Sequence, residues 1–453
     1  MSDAKSSPLS EGLFARALTG SMLTAGSYAM TQALRLASNL ILTRLLFPEA
    51  FGQMALVSVV LVGLAMFSDV GIGPAISQHP KGDAPEFLDT AFTINVLRGG
   101  ILWLLTCAAA VPVAAFYEVP DLRLLVPAAG LTLLISGFNP TRIDTANRHL
   151  LLARVTLLDL IAQILGIAAI VALAFALGSV WALVWGAILG AVAKLVLMHA
   201  FLPGRANRLQ WQAEAGHDLV HFGKWIFLST ACGFLLSQGD KAILGAYLPL
   251  DQLGIYNIGY FLASFPVLLA GAVTGRIMIP IYRDRPPAAS AENAARLRRL
   301  RFGLTGSVLV LLALVGGFSA QIVGLLYDPR YGAAAQIMAA LTLAQMPQVI
   351  GMTYDQSALA AGNSKGYFLV MALRAVVQTA AFVVGVELGG LMGALAALGA
   401  AGVVTHLAIV ALARRHQAWD FVHDLVFFLA AGGVAVGLLQ SNLVDFLTSF
   451  ARG

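Results

Sequence analysis

The stretch Ile41-Leu-Thr-Arg-Leu-Leu-Phe-Pro-Glu-Ala-Phe-Gly52 is followed, 202 positions later, by a similar stretch, Ile243-Leu-Gly-Ala-Tyr-Leu-Pro-Leu-Asp-Gln-Leu-Gly254. One isoleucine, two leucines and the final glycine are identical in the two copies, and Glu49 is matched by Asp251. Each copy ends one long apolar segment and begins the next. An internal repeat of this kind predicts two halves of similar fold.

Apolar segments long enough to cross a bilayer lie on both sides of each copy, since about 20 helical residues span the hydrocarbon core. We predict twelve spans, at 19–43, 51–76, 90–117, 124–140, 156–178, 180–202, 226–248, 255–282, 303–326, 337–361, 367–388 and 391–413. A short thirteenth apolar stretch, 425–440, and the tail 441–453 form a further span, a re-entrant segment or an interfacial helix. The two copies of the repeat are six spans apart, so both run the same way through the membrane.

These patterns predict an all-α polytopic membrane protein with 12–14 transmembrane helices in two pseudo-symmetric six-helix halves around a central cavity. Composition agrees, because hydrophobic residues make up 59% and charged residues only 11% of the chain, against about 25% charged in soluble domains. The mean hydropathy is +0.82. The predicted parts are a cytoplasmic segment 1–18, a half 19–202, a connecting loop 203–225, a half 226–413 and an extra helical region with a tail, 414–453.

The distribution of basic residues predicts the orientation. With the N-terminus in the cytoplasm, 18 of the 28 Lys and Arg residues lie in segments on the cytoplasmic side, and 4 lie on the opposite side. Such an excess is typical of cytoplasmic loops. We therefore interpret the basic run Arg296–Arg301 as an anchor at the lipid headgroups, and we expect no nucleic-acid partner.

Small residues predict a close helix contact near the end of the second half. Gly389 and Gly393 are four positions apart, as are Gly393 and Ala397. This spacing of small residues lets helix backbones approach each other in a membrane.

Several motifs resemble the polysaccharide transporter family, which contains O-antigen and exopolysaccharide flippases of the multidrug/oligosaccharidyl-lipid/polysaccharide exporter superfamily. The stretches that carry this resemblance are Leu42–Gly52, Phe67–Gln78, Leu88–Gly99, Thr145–Arg148, Gln238–Gly245 and Leu325–Gly332. The resemblance implies a bacterial inner-membrane protein that moves isoprenoid-pyrophosphate-linked sugar units outward. Its implied partners are that lipid-linked oligosaccharide, membrane lipids, and a polysaccharide polymerase with its chain-length regulator.

Cations inside the apolar spans are the predicted headgroup-binding residues. Ionisable groups at membrane depth usually face a bundle interior or a wet cavity. A pyrophosphate headgroup cannot cross hydrocarbon unaided, and arginine can hold phosphate oxygens bidentately. The predicted set is Arg35, Arg98, Lys241, Arg276 and Arg374. Snorkelling to the interface or pairing with a buried carboxylate is the alternative explanation for each of these cations.

Carboxylates inside the spans suggest ion coupling. Asp69, Asp240 and Asp355 are candidates to take up H⁺ or Na⁺ from the gradient, and neutralisation of nearby cations is the alternative. Asp240 and Lys241 are adjacent and point about 100° apart on a helix, so each needs a partner on another helix. We expect no other cofactor and no metal.

Two other functions remain open at this stage. One is a polytopic membrane enzyme such as a glycan polymerase or glycosyltransferase, but the predicted outward loops have ten residues or fewer, and we expect no catalytic residues. The other is an exporter of drugs or of other lipid-linked substrates from the same superfamily. Drug substrates of such exporters are typically cationic, and a cationic cavity does not suit them.

Overall fold

Helices make up nearly all of the regular structure. The computed structural model describes residue 26 and residues 29–69, 71–149, 151–216, 219 and 226–450, and within these residues there is no β-strand. The side chains of residues 226–229, 276, 439 and 441–450 lie outside the description. The chain divides into two compact units, Met1–Thr230 and Ala231–Gly453.

The first unit contains eight helices with at least seven described residues each, and a short helical stretch at 213–216. The eight helices are α1 (29–45), α2 (Pro48–Phe67), α3 (Ile72–Gln78), α4 (Pro85–Phe116), α5 (Leu122–Gly137), α6 (Arg142–Arg148), α7 (Leu152–Leu177) and α8 (Trp181–Phe201). Helix α5 packs against α2, α4 and α8, and α7 packs along α8. The short helices α3 and α6 contact each other beyond the ends of α2 and α5.

The second unit is built in a similar way. Its helices are α9 (Ile226–Tyr247), α10 (Leu250–Asp284), α11 (Ala291–Gly317), α12 (Ser319–Leu326), α13 (Ala334–Gly351), α14 (Asp355–Ala360), α15 (Ser364–Arg415) and α16 (Phe421–Phe450). Helix α13 is central, since it contacts α10, α11, α15 and α16.

The sequence repeat marks the same joint in both units. Helix α1 ends at residue 45 and α2 begins at Pro48, whereas α9 ends at Tyr247 and α10 begins at Leu250. Both boundaries are thus shifted by the same 202 positions as the sequence. The last turns also match, because Leu46 N donates to Leu42 O and Leu248 N donates to Leu244 O, each at 2.8 Å. The prediction of two similar halves is confirmed.

The predicted spans agree with the helices except at a few boundaries. Among the described residues, nine helical segments are long and apolar enough to cross a membrane, and the pair α5 and α6, bent by 59°, would make ten. The ninth span was predicted at 303–326, but α11 begins at Ala291 and ends at Gly317. The Ser290 side chain caps its N-terminus by accepting a hydrogen bond from Asn293 N. The basic run therefore continues the span as helix.

A two-glycine turn separates the predicted spans eleven and twelve within α15. Gly389 and Gly390 are non-helical, and Gly390 has a φ of +56°, which glycine adopts without strain. The two arms then pack very closely, since a Cβ on Gly385 would lie 2.5 Å from Gly393 O and 2.6 Å from Ala397 Cβ. The predicted close contact of small residues is present, with Gly385 as the partner of Gly393 and Ala397.

The described part of the connecting loop makes hydrogen bonds to the first unit. Asp89 on α4 is buried and accepts hydrogen bonds from Arg205 Nη2 at 3.1 Å and Arg208 N at 3.0 Å. Thr90 Oγ1 accepts a further bond from Gln212 N at 3.1 Å. The first residues of the loop thus belong to the first unit, which extends the predicted half 19–202.

Candidate functional site

Arg98 lies at a break in the second span. Helix α2 ends before Ser68, and the chain resumes as α3 after Gly71. From α4, Arg98 Nη2 donates to Ala65 O at 2.7 Å and Arg98 Nε donates to Ser68 Oγ at 3.0 Å. The guanidinium therefore satisfies a carbonyl that the end of α2 leaves without a helical partner.

Asp69 belongs to the same break. Its Oδ1 accepts a hydrogen bond from Gly71 N at 2.9 Å, and Gly71 has a φ of +65°. A carboxylate that bonds the backbone two residues on is typical of a turn. Asp69 also lies within electrostatic range of Arg98. The structure thus brings together one predicted cation and one predicted coupling carboxylate, and both contact the broken end of span 2.

Arg35 occupies a different part of the first unit. It lies on α1 and is exposed. One turn earlier, the backbone carbonyl of Thr31 accepts a hydrogen bond from Gln163 on α7 at 3.2 Å. Asp159, one turn before Gln163, pairs with Lys194 of α8 at 2.7 Å. Arg35 is therefore one turn along α1 from the contact between Thr31 and Gln163 of span 5.

Asp240 and Lys241 contact two tyrosines of the neighbouring helix. Tyr256 OH donates to Asp240 Oδ2 at 2.5 Å, and Lys241 Nζ lies 4.7 Å from the centroid of the Tyr260 ring. Tyr256 and Tyr260 are one turn apart on α10, with ring centroids 6.0 Å apart. Asp240 Oδ1 is buried and has no hydrogen-bond partner among the described residues. Each group therefore has its partner on another helix, as the angle between them predicts.

Arg374 and Asp355 form an ion pair within the second unit. Arg374 Nη1 on α15 lies 3.2 Å from Asp355 Oδ2 on α14, and only 11% and 14% of the two side chains are exposed. Here a predicted headgroup cation and a predicted coupling carboxylate neutralise each other. The side chain of Arg276, the remaining predicted cation, lies outside the described residues.

One arginine of the basic run is buried, and two others pair with carboxylates. Arg298 makes two hydrogen bonds to Asp420, at 2.5 and 3.0 Å. Arg301 is buried, donates to Tyr282 OH and has its guanidinium carbon 4.5 Å from the centroid of the Tyr354 ring. Arg296 pairs with Glu292 one turn earlier on the same helix. Arg298 and Arg301 therefore attach α11 to its neighbours, while Arg296, Arg298 and Arg299 are exposed.

A buried polar cluster around Asp424 was missed by sequence reasoning. Asp424 Oδ1 accepts from Tyr354 OH at 2.8 Å and lies 3.0 Å from His423 Nδ1. Its Oδ2 accepts from Trp419 Nε1 at 2.8 Å and lies 2.9 Å from His406 Nε2. One carboxylate thus joins α15 and α16 to the break between α13 and α14.

Asp420 starts helix α16 beside this cluster. Its Oδ1 accepts from Val422 N at 3.1 Å and His423 N at 3.3 Å. Burial favours a raised pKa, but the hydrogen bonds from Arg298 and His423 N prevail, so the pKa of Asp420 lies below its ordinary value. The spacing Asp420-x-x-x-Asp424 at the start of an apolar stretch is the signal that could have revealed the cluster.

Comparison with known proteins gives a family match and distant relatives. Residues 41–302 match the model of a family described as "Polysaccharide biosynthesis protein". The teichuronic acid biosynthesis protein TuaB of Bacillus subtilis is 23% identical over 65% of this chain and 61% of its own length. The chain thus spans less than two thirds of that relative.

Two further similarities cover most of the chain. The succinoglycan biosynthesis transport protein ExoT of Rhizobium meliloti is 22% identical over 90% of this chain and 81% of its own length. Among solved structures, the lipid II flippase MurJ in an inward closed conformation is similar with a TM-score of 0.65 and 12% identity. That alignment covers 94% of this chain and 100% of MurJ.

Proposed function

Because the chain belongs to the polysaccharide biosynthesis protein family, we propose that it is a flippase that moves isoprenoid-pyrophosphate-linked oligosaccharides across the bacterial inner membrane. These oligosaccharides would be used for O-antigen or exopolysaccharide synthesis. The protein would translocate them by alternating access. The observation that carries this proposal is the family match over residues 41–302, which includes the boundary between the two units at Thr230. The transport named for ExoT and the fold shared with MurJ support it.

The headgroup contacts belong to the proposal. Arg35 in the first unit and Lys241 in the second belong to the proposed set, and so do Arg98 and Arg374, which also have structural partners. Arg276 stays in the proposed set. For coupling to H⁺ or Na⁺ we favour Asp240, because its Oδ1 is buried without a partner among the described residues, whereas Asp69 bonds a turn and Asp355 pairs with Arg374. No catalytic role is proposed.

The proposed orientation places the N-terminus in the cytoplasm. Reporter fusions at Gly82, Asn207 and Ala289 should all give a cytoplasmic signal, because these positions follow spans 2, 6 and 8. A periplasmic signal at any of them would contradict the orientation. Contacts with a polysaccharide polymerase and a chain-length regulator are part of the proposal and would be tested by crosslinking in cells.

The deciding genetic experiment follows lipid-linked sugars after disruption of the gene. A flippase defect should cause complete lipid-linked units to accumulate on the cytoplasmic face. A polymerase or glycosyltransferase defect would instead leave single units outside or stop their assembly. Loss of a drug exporter would raise drug sensitivity without any accumulation. The last two outcomes would overturn the proposal.

A further inference from the structure

One ion pair inside the apolar helices of the first unit is unusually exposed. Asp159 on α7 and Lys194 on α8 are 2.7 Å apart, and 41% and 39% of their side chains are exposed. Each stands seven residues from the helix end predicted to face the cytoplasm, Leu152 or Phe201, about 10 Å at 1.5 Å per residue. Charges at such a depth are costly against lipid. This face of the unit is therefore suited to a polar ligand.

The pair is held in place by close helix packing. A Cβ on Gly166 of α7 would lie 3.1 Å from the Cα of Gly190 on α8. Lys194 follows Gly190 by one turn, and Asp159 precedes Gly166 by two. Because backbones in contact at two glycines cannot approach further, this contact fixes the spacing of the two helices that carry the pair. Its exposure is thus a property of the packed helices.

Further polar groups continue from the pair along the same unit. Gln163 is one turn beyond Asp159 on α7 and donates to Thr31 O of α1 at 3.2 Å. Arg35 is one turn beyond Thr31 on α1. Spans 1 and 5 are both predicted to run outward, so Arg35 stands two turns, about 11 Å, further out than Asp159. The polar groups thus form a stripe that runs outward from the predicted cytoplasmic end, in the order Lys194, Gln163 and Arg35.

We propose that Lys194 and Arg35 are successive binding positions for a phosphate or pyrophosphate headgroup, and that Asp159 is the counter-ion that Lys194 exchanges for this ligand. The inference rests on the proposed function and names the residues that would receive the headgroup first. A pyrophosphate carries at least two negative charges and binds Lys194 by charge-assisted hydrogen bonds. It must displace Asp159 to do so.

Two substitutions should change the affinity for the pyrophosphate ligand in opposite directions. D159N removes the competitor of the ligand and should raise affinity three- to tenfold, whereas K194Q removes a binding cation and should lower it about tenfold. A merely structural pair gives no reason for D159N to strengthen binding. K194R keeps the charge and should stay within about twofold of the unchanged chain. In the double variant D159N/K194Q, affinity should equal that of K194Q, because Asp159 acts through Lys194.

The test measures binding of a polyprenyl pyrophosphate to the full chain in lipid nanodiscs, with the neutral polyprenol as the reference ligand. E214Q is the matched control, because Glu214 pairs with Lys81 at the same 2.7 Å but outside the apolar helices; it should leave affinity unchanged. The double variant holds no unpaired charge, and this keeps the test valid if K194Q alone fails to fold.

Each of the following results would overturn a part of the proposal. Unchanged affinity in K194Q, or in the double variant, excludes Lys194 as a binding position. Unchanged or weaker binding in D159N excludes the counter-ion role. In both cases binding by the unchanged chain would leave the proposed function standing. If the unchanged chain does not prefer the pyrophosphate over the polyprenol, the proposed function fails together with the inference.

Discussion

Two carboxylate–cation pairs inside apolar helices differ in their surroundings. In the second unit Arg374 and Asp355 are largely buried, whereas in the first unit Lys194 and Asp159 are more than a third exposed. A buried pair leaves a costly uncompensated charge when one partner is removed, but an exposed pair contributes little to stability. The comparison indicates that the buried pair stabilises the fold and that the exposed pair can exchange partners.

Breaking the buried pair should have the largest effect. We expect R374A to lose about 3–5 kcal/mol of unfolding free energy, because the buried Asp355 carboxyl group would lose its charged partner. Thermal unfolding of the purified chain in detergent measures this. The double variant D355N/R374Q removes both charges and should recover most of the loss. If R374A unfolds normally but no longer transports, Arg374 binds the ligand and the pair is not structural.

Arg98 extends the comparison to a cation whose partners are a carbonyl and a hydroxyl. R98A should cost about 1.5–3 kcal/mol, since Ala65 O and Ser68 Oγ lose hydrogen bonds from a charged donor. R98K keeps the charge but cannot make both contacts with the same planar geometry, so it should restore only part of the stability. Thermal unfolding and membrane yield are the measurements. A stable R98A that has lost transport would assign Arg98 to the ligand.

Lys241 is a cation that contacts an aromatic ring, that of Tyr260. Y260L removes the ring under Lys241 and should destabilise the chain by about 1 kcal/mol. Y260F keeps the ring face and serves as the matched control. Equal losses in Y260F and Y260L would indicate that the hydroxyl, and not the ring, matters.

The exposed pair should show the smallest effect on stability. D159N/K194Q should change the unfolding free energy by at most about 1 kcal/mol, as exposed pairs do. The same thermal unfolding assay used for Arg374 makes the two pairs directly comparable. A loss similar to that of R374A would mean that this pair is as structural as the buried one.

Hydropathy and the repeat predicted most of the fold. Runs of about 20 apolar residues have few alternatives to a membrane helix, and the joints at Pro48 and Leu250 follow the repeat. The extension of α11 to Ala291 was missed because its arginines lower hydropathy, although arginine and alanine favour helices. The Ser290 cap was the available signal.

Partners of individual charges were harder to predict. The sequence identified which residues are ionisable and deep, but Arg298 and Asp420 are 122 positions apart. The Asp424 cluster brings together residues of three segments, including His406 and Tyr354. Contacts of this kind depend on how helices pack, and a hydropathy pattern does not encode them.

The most direct test of the account is translocation of a fluorescent lipid-linked oligosaccharide in vesicles containing only this protein. A membrane-impermeant quencher added outside reports which leaflet holds the label. Vesicles with the unchanged chain should move label between leaflets much faster than protein-free vesicles. Translocation no faster than in protein-free vesicles, by a chain shown to be folded and inserted, would contradict it.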